Sequence, residues 1–272
     1  FVIKDRLLSD KSGTSFFAIV FNTAYTREEQ SHLLCNAKNI CRMTDQSNMS
    51  GEDYELFKKD DEFIMRFHEE NLGYEGCIKA YNDADVVKRY HGVKEIMAYR
   101  APIKVANTLA GVVHDITNAK ILDLAAGSGM VGEQLFERGF RNVDAHDGAA
   151  AMVDFCRTSG FYKDFFTCFV GNGQKLPMAD NTYDGMSCCG ATLNNHLPAD
   201  AQAEIARVIK PGGFFVNGYR SNMYETEVDY GNEWREEAQR LEKNGTWTLY
   251  GVLNFPKFCR EADGRVDVYQ IL

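Results

Sequence analysis

Basic residues are outnumbered. The chain sets 30 Lys and Arg against 39 Asp and Glu, a net charge of −9 at pH 7. Nucleic-acid binding draws on a Lys/Arg-rich face, so at the level of composition no footprint for it exists, and nucleic acid is not an expected partner. Only a local basic patch stays open. The eight cysteines, Cys35, Cys41, Cys77, Cys156, Cys168, Cys188, Cys189 and Cys259, never form C-x-x-C. That excludes the common zinc spacings and a small secreted disulfide framework, so no metal is expected and reduced thiols in cytoplasm or nucleus are. Long apolar runs are missing too. The longest near the start, "FFAIVF" (Phe16–Phe21), is too short to span a bilayer, and no cleavage pattern follows it; no membrane partner is expected. Internal repeats and low-complexity tracts are absent.

What is present is an ordinary globular composition, 44% hydrophobic over 272 residues, enough for a sizeable core without staples. Residues 1–42 show no sustained period, and Met43 or Met49 is the expected start, with the upstream part a leader; a genuine helical extension is the alternative. "YELFKKDDEFIMRFHEE" (Tyr54–Glu70) puts Leu56, Phe57, Phe63, Ile64 and Phe67 on one helical face. "DADVVKRYHGVKEIMAYRAPIKVANTLAGVV" predicts one or two helices broken near Gly92 and Pro102.

Then the pattern changes. "KILDLAA", "NVDAHD", "FTCFV", "TYDGMSCC" and "FFVNGY" predict five short strands. Between them "MVGEQLFERG", "AAAMVDFCRTSG" and "DAQAEIARVIKPGG" predict helices, the first two closed by Gly139 and Gly160. Strands alternating with helices imply βαβ units and a mostly parallel sheet. "YGNEWREEAQRLEKNG" is one more helix. "TWTLYGVLNF" and "RVDVYQIL" then follow with no helix between them, which predicts a terminal antiparallel hairpin. An NAD domain would end instead on a further βα unit.

Gly127, Gly129 and Gly132 in "ILDLAAGSGMVG" spell G-x-G-x-x-G, a pattern that says only that backbone passes close to a ligand. Asp123, ahead of the glycines, discriminates. It would repel a pyrophosphate and welcome a ligand bearing ammonium and sulfonium groups, such as S-adenosylmethionine. Asp147, 24 residues after Asp123 at the next strand end, could accept hydrogen bonds from ribose hydroxyls of either ligand, or simply cap the next helix. Asn172 and Gly173 could meet an adenine edge or form an ordinary turn, and Met152 could pack on the adenine face or in the core. Gly132 reads better as a small helix residue than as a ligand contact.

Together "LDLAAGSGMVG", "DAHDGAAAMVDFC", "LPMADNTYDGMSCCGA" and "IARVIKPGGFFV" resemble, in order and spacing, the class I S-adenosylmethionine-dependent methyltransferases. "YRAPIKVANTL", "CCGATLNNHLP" and "GYRSNMYETEVDYGNEWREEAQRLEKNGTW" are similar to the Williams–Beuren syndrome region methyltransferase-like, or methyltransferase-like protein 27, family. The resemblance implies an α/β, Rossmann-like seven-stranded sheet, mostly parallel with a reversed C-terminal strand. It covers residues 76–272, behind an N-terminal extension over 1–75, partly disordered or helical. It implies S-adenosyl-L-methionine as cofactor, bound by Tyr99, Arg100, Asp123, Ala125, Gly127, Gly129, Asp147, Gly148, Met152, Asn172, Gly173 and Cys189. Tyr99 or Arg100 would lie near the methionine carboxylate. Three positions depart from the family pattern: Asn172 for Asp, Ala149 for Ser, and His91 where an acid is common.

Methyl transfer is an in-line displacement, so positioning supplies much of the catalysis, about 7–11 kcal/mol for a well-oriented pair. A base is needed only for an acceptor that keeps its proton. His196 is the titratable side chain the pattern puts near the acceptor; a loop or partner contact is its plainer reading. Asn194 and Asn195 could orient an acceptor. "CCGA" stands where an Asn/Asp-Pro-Pro-aromatic motif would indicate methylation of nucleic-acid bases, so the expected acceptor is a small molecule or a protein side chain. A non-catalytic S-adenosylmethionine-binding protein and an NAD-dependent oxidoreductase are the competing readings.

Overall fold

The computed structural model describes residues 7–9, 15–17, 51–69, 72–97, 99–259 and 262–272. The chain divides into two units, Phe1–Met43 and Thr44–Leu272. In the first, β1 (Leu7–Ser9) pairs antiparallel with β2 (Ser15–Phe17), Leu8 opposite Phe16. The expected start at Met43 or Met49, and all else of residues 1–50, lies outside the described residues.

The second unit opens with four helices, α1 (Gly51–Glu69), α2 (Gly73–Tyr81), α3 (Ala84–Ile96) and α4 (Ala101–Val112). On α1, Phe57 and Ile64 are buried, as its predicted apolar face requires. α3 runs through Gly92 unbroken, because one glycine costs a helix only about 1 kcal/mol. The break falls after Ile96. Pro102 then sits in the first turn of α4, where a missing N–H costs nothing.

The alternating region forms a seven-stranded sheet. In chain order its elements are β3 (Ile121–Leu124), α5 (Met130–Glu137), β4 (Val143–Asp147), α6 (Ala150–Arg157), β5 (Phe165–Thr167), β6 (Tyr183–Cys189), α7 (Ala201–Val208) and β7 (Ile209–Arg220). The short α8 (Met223–Thr226), α9 (Val228–Lys243), β8 (Trp247–Cys259) and β9 (Ala262–Ile271) complete it. The strand order is β5-β4-β3-β6-β7-β9-β8. Every pairing from β5 to β7 is parallel, and β9 runs antiparallel to both β7 and β8. This is the terminal antiparallel hairpin that the sequence pattern predicts, and the reversed C-terminal strand that the resemblance implies.

Two local differences matter. β5 stops at Thr167; beyond it Cys168, Phe169 and Val170, predicted as strand, line a cavity, with the Cys168 N–H still donating to the Asp147 carbonyl at 3.3 Å and Val170 buried. The Pro-Gly-Gly turn is a bulge inside β7: register jumps between the pairs Tyr183–Ile209 and Gly185–Phe214, and Gly212 supplies a φ of 81°.

Both faces of the sheet are covered, so β3 is buried throughout and apolar except at Asp123. Leu122, Leu124, Met186 and Phe215 pack with Trp234 and Trp247 on one face. Ile121, Val143 and Val216 pack with Val105 and Leu109 of α4 on the other. α9 buries Tyr230, Trp234, Ala238 and Leu241, one stripe at helical spacing. Because β3 pairs β4 on one side and β6 on the other, the chain's winding reverses there, and a crevice opens at the strands' carboxyl ends.

Candidate functional site

The crevice begins where β3 ends. Ala125, Gly127 and Gly129 all take positive φ, 52°, 56° and 82°. The loop therefore doubles back tightly, at some strain for Ala125, which has a Cβ. Asp147, at the end of β4, ties the turn down. Its Oδ2 accepts the Gly127 N–H at 2.9 Å and its Oδ1 the Ala149 N–H at 2.9 Å. Burial raises the Asp147 carboxyl above its ordinary value, against the pull of these backbone donors.

Two adjoining cavities follow. The smaller, about 110 Å³, brings together seven of the predicted residues: Ala125, Gly127, Asp147, Gly148, Met152, Cys189 and His196. The larger, about 360 Å³, is walled by Tyr99, Lys94, Tyr219, Arg220, Glu227 and Phe258 among others. Tyr90 and Gly190 belong to both. Gly190 has a φ of 76°, and a Cβ there would lie 2.5 Å from Tyr99 Oη. The Tyr99 hydroxyl thus takes the space that a side chain at residue 190 would need. Tyr99 Oη also sits 3.4 Å from Cys189 Sγ.

Five predicted residues stand elsewhere. Asp123 is not on the cavity wall. It lies beneath the glycine loop, 1% exposed, where Tyr162 Oη donates to its Oδ2 at 2.7 Å and Ser187 Oγ donates to its Oδ1 at 2.8 Å. Burial pushes its carboxyl up to about 6 despite these bonds. Tyr162 Oη also accepts the Gly132 N–H at 3.2 Å. Gly129 caps α5 against Cys156 and Tyr162 rather than facing the crevice. Arg100 is exposed at the start of α4, outside both cavities, because Ala101 and Pro102 take the buried positions there. Asn172 and Gly173 are exposed, and their N–H groups are held by the two carboxylate oxygens of Asp200 at 2.9 and 3.2 Å.

His196 is half-buried. Its Nδ1 lies 3.0 Å from the Asn194 carbonyl, which requires the proton on Nδ1. Nε2, 3.4 Å from Tyr81 Oη, is then the acceptor. Burial pushes its pKa down, which keeps the ring neutral. Asn195 lines the smaller cavity and Asn194 does not.

The sequence reading missed the cover. Cys77, Ile78 and Tyr81 of α2 and Tyr90 of α3 wall the smaller cavity, and Lys94 of α3 the larger. Lys94 Nζ lies 4.9 Å from the Tyr99 ring centre and 5.2 Å from that of Tyr90, with no carboxylate in ion-pair range among the described residues. His91 Nδ1, 3.0 Å from Ser128 Oγ, fastens α3 to the glycine loop. The available signal was the apolar spacing in "GYEGCIKAY". His146, buried on β4 and lining the smaller cavity, carried no signal at all. Among the described residues no group of three or more His, Cys, Asp or Glu could hold a metal, and no helix is long and apolar enough to cross a membrane.

Residues 122–217 match the family described as methyltransferase domain. The chain is 30% identical over 164 residues to methyltransferase-like protein 27 of Homo sapiens, covering 59% of this chain and 63% of that protein. It is 28% identical over 132 residues to demethylmenaquinone methyltransferase of Renibacterium salmoninarum, covering 48% and 54%. The chain thus spans less than two thirds of the length of these relatives. Among solved structures, a SAM-dependent methyltransferase from Aquifex aeolicus aligns with TM-score 0.49 and 19% identity, over 70% of this chain and 99% of that one.

Proposed function

We propose that this chain, which matches a methyltransferase domain over residues 122–217, moves a methyl group from S-adenosylmethionine to a small-molecule acceptor. One observation carries the reading. At the reversal point of the sheet, a carboxylate, Asp147, faces a cavity beside a backbone turn that it braces.

The residues fit the cofactor. Each Asp147 oxygen accepts one backbone N–H and keeps a lone pair for a ribose hydroxyl. Met152 and Val170 offer apolar walls to a base. Lys94, rather than the exposed Arg100, supplies positive charge at the far end for a carboxylate. The cofactor supplies an activated methyl on sulfonium. What remains for the chain is to hold, orient and exclude water. Tyr90 and Lys94 of α3 line the crevice, and the absence of a side chain at Gly190 makes room for the Tyr99 hydroxyl.

The larger cavity, walled by Tyr219, Phe258 and Tyr99, supports a small acceptor over a protein side chain. The name of the Renibacterium relative also describes a small-molecule acceptor. Neutral His196, on the wall of the smaller cavity, can take a proton only at Nε2, the atom facing Tyr81. The test is transfer of labelled methyl into a fractionated cell extract. Label in the low-mass fraction is expected. Label confined to protein overturns the acceptor class, and no label in any fraction favours a non-catalytic S-adenosylmethionine-binding protein.

A further inference from the structure

The chain as a whole carries a net charge of −9, yet the larger cavity inverts that balance. Its charged wall residues are Lys94, Arg220 and Glu227, two cations against one carboxylate. Glu227 neutralises Arg220 only loosely. Its Oε1 stands 3.9 Å from Arg220 Nη2, beyond hydrogen-bond range, and its Oε2 accepts the Asn194 N–H at 2.6 Å. Arg89 shows the contrast. Its side chain is as exposed as that of Arg220, 36% against 37%, yet it holds Asp60 at 2.6 Å. Among the described residues, neither Lys94 Nζ nor the Arg220 guanidinium has a hydrogen-bond acceptor. Both cations reach the neighbouring cavity: burial is the main cause of the lowered His196 pKa, and Lys94 and Arg220 add to it.

The wall between these charges is aromatic. Tyr90 and Tyr99 are half-buried on it, and Phe258 meets Tyr99 edge-on with ring centres 5.2 Å apart. Such rings can attract an ammonium to their faces. Here Lys94 already takes that place over both tyrosines. A second cation would meet repulsion from Lys94 and Arg220, whereas an anion meets attraction. On the cofactor reading Lys94 faces the methionine carboxylate, which leaves Arg220 with its donors unspent. A guanidinium presents two parallel N–H groups, the match of a carboxylate.

We propose that the methyl acceptor is a small aromatic or conjugated acid, its carboxylate held by Arg220 and its flat body set against Tyr99 and Phe258. The proposal deepens the function given above and rests on its cofactor reading.

The experiment has two arms. In the first, calorimetry measures 2-naphthoate and 2-naphthylmethylamine, one ring system with opposite charges at pH 7, on the full chain saturated with S-adenosylhomocysteine. The acid is expected to bind about tenfold more tightly than the amine, and about tenfold more weakly to Arg220→Gln than to wild type, as loss of a charged hydrogen bond implies. Arg220→Lys recovers part of that affinity, and both variants bind S-adenosylhomocysteine as wild type does. In the second arm, low-mass product labelled from S-adenosylmethionine in cell extract is passed over an anion exchanger at pH 7. Transfer elsewhere on the acceptor spares its carboxylate, so the label is expected in the retained fraction. The rate deficit of Arg220→Gln should shrink as the extract is concentrated, the mark of weakened acceptor binding. Equal or tighter binding of the amine, an acid affinity unchanged in Arg220→Gln, or label that is not retained overturns the proposal and leaves the cofactor reading standing. If Arg220→Gln melts early, the wild-type comparison of acid with amine and the charge of the product still decide. A wild type that does not bind S-adenosylhomocysteine overturns the cofactor reading, and this proposal with it.

Discussion

Asp123 and Asp147 end neighbouring strands, yet one is sealed under the glycine loop and the other faces the crevice. Their protonation should separate them. Asp123 titrates at about 6 in the fold against 3.8 for its ordinary value, so between these pH values the folded chain binds more protons than the unfolded one. Its contribution is therefore greatest in acid and declines as pH rises from about 4 to about 6. Urea unfolding of wild type and Asp123→Asn should show the wild-type advantage shrinking by about 2–3 kcal/mol between pH 4 and pH 7. A constant difference would mean that the carboxyl is solvated. His146 runs the other way. Its pKa is lowered from 6.5 to about 4, so stability is full above 6.5 and is lost as pH falls toward 4. His146→Leu should lack that part of the acid loss, about 3 kcal/mol. At this scale Asp147 was legible, because strand-end spacing places it. Asp123 was not: Tyr162, 39 residues away, decides its environment.

At the scale of elements, the turn after β3 and the helix α5 are locked by one phenol. A Cβ at Gly132 would fall 2.1 Å from Tyr162 Cζ, and that ring is pinned by its bond to Asp123. Gly132→Ala should therefore destabilise by about 1–3 kcal/mol, as overpacked cores do, measured by denaturant midpoint. An unchanged midpoint would show that Tyr162 moves freely. The third glycine of the fingerprint is thus a packing residue, as its place in a helix suggested. Helix α3 was legible in the sequence, whereas α2 (Gly73–Tyr81) was not predicted. Their duty as the crevice's cover was not legible, because Tyr81, Tyr90 and Lys94 belong to no motif and meet the loops only in the folded chain. β5 fell short of its predicted length because the residues after Thr167 leave the sheet and pass the cavity, a choice no β-propensity records.

Over the whole molecule, the alternation of strands and helices was enough to give a mostly parallel sheet and its terminal antiparallel hairpin, while the reversed C-terminal strand was implied by the family resemblance. What pattern could not supply is which side chains meet at the sheet's reversal. Two cavities adjoin there, with Tyr90 and Gly190 on the walls of both, one with the half-buried carboxylate of Asp147 and one with aromatic and cationic walls. That arrangement suits a donor extending from one into the other and an acceptor in the larger. On the proposed function, Asp147 holds S-adenosylmethionine at this point. Titration calorimetry of the chain with S-adenosylmethionine and with NAD, repeated on Asp147→Ala, tests it most directly. One-to-one binding of S-adenosylmethionine, no comparable binding of NAD, and an affinity at least tenfold weaker in the variant are the predicted result. Tighter binding of NAD, or an affinity for S-adenosylmethionine unchanged by the loss of Asp147, would contradict it.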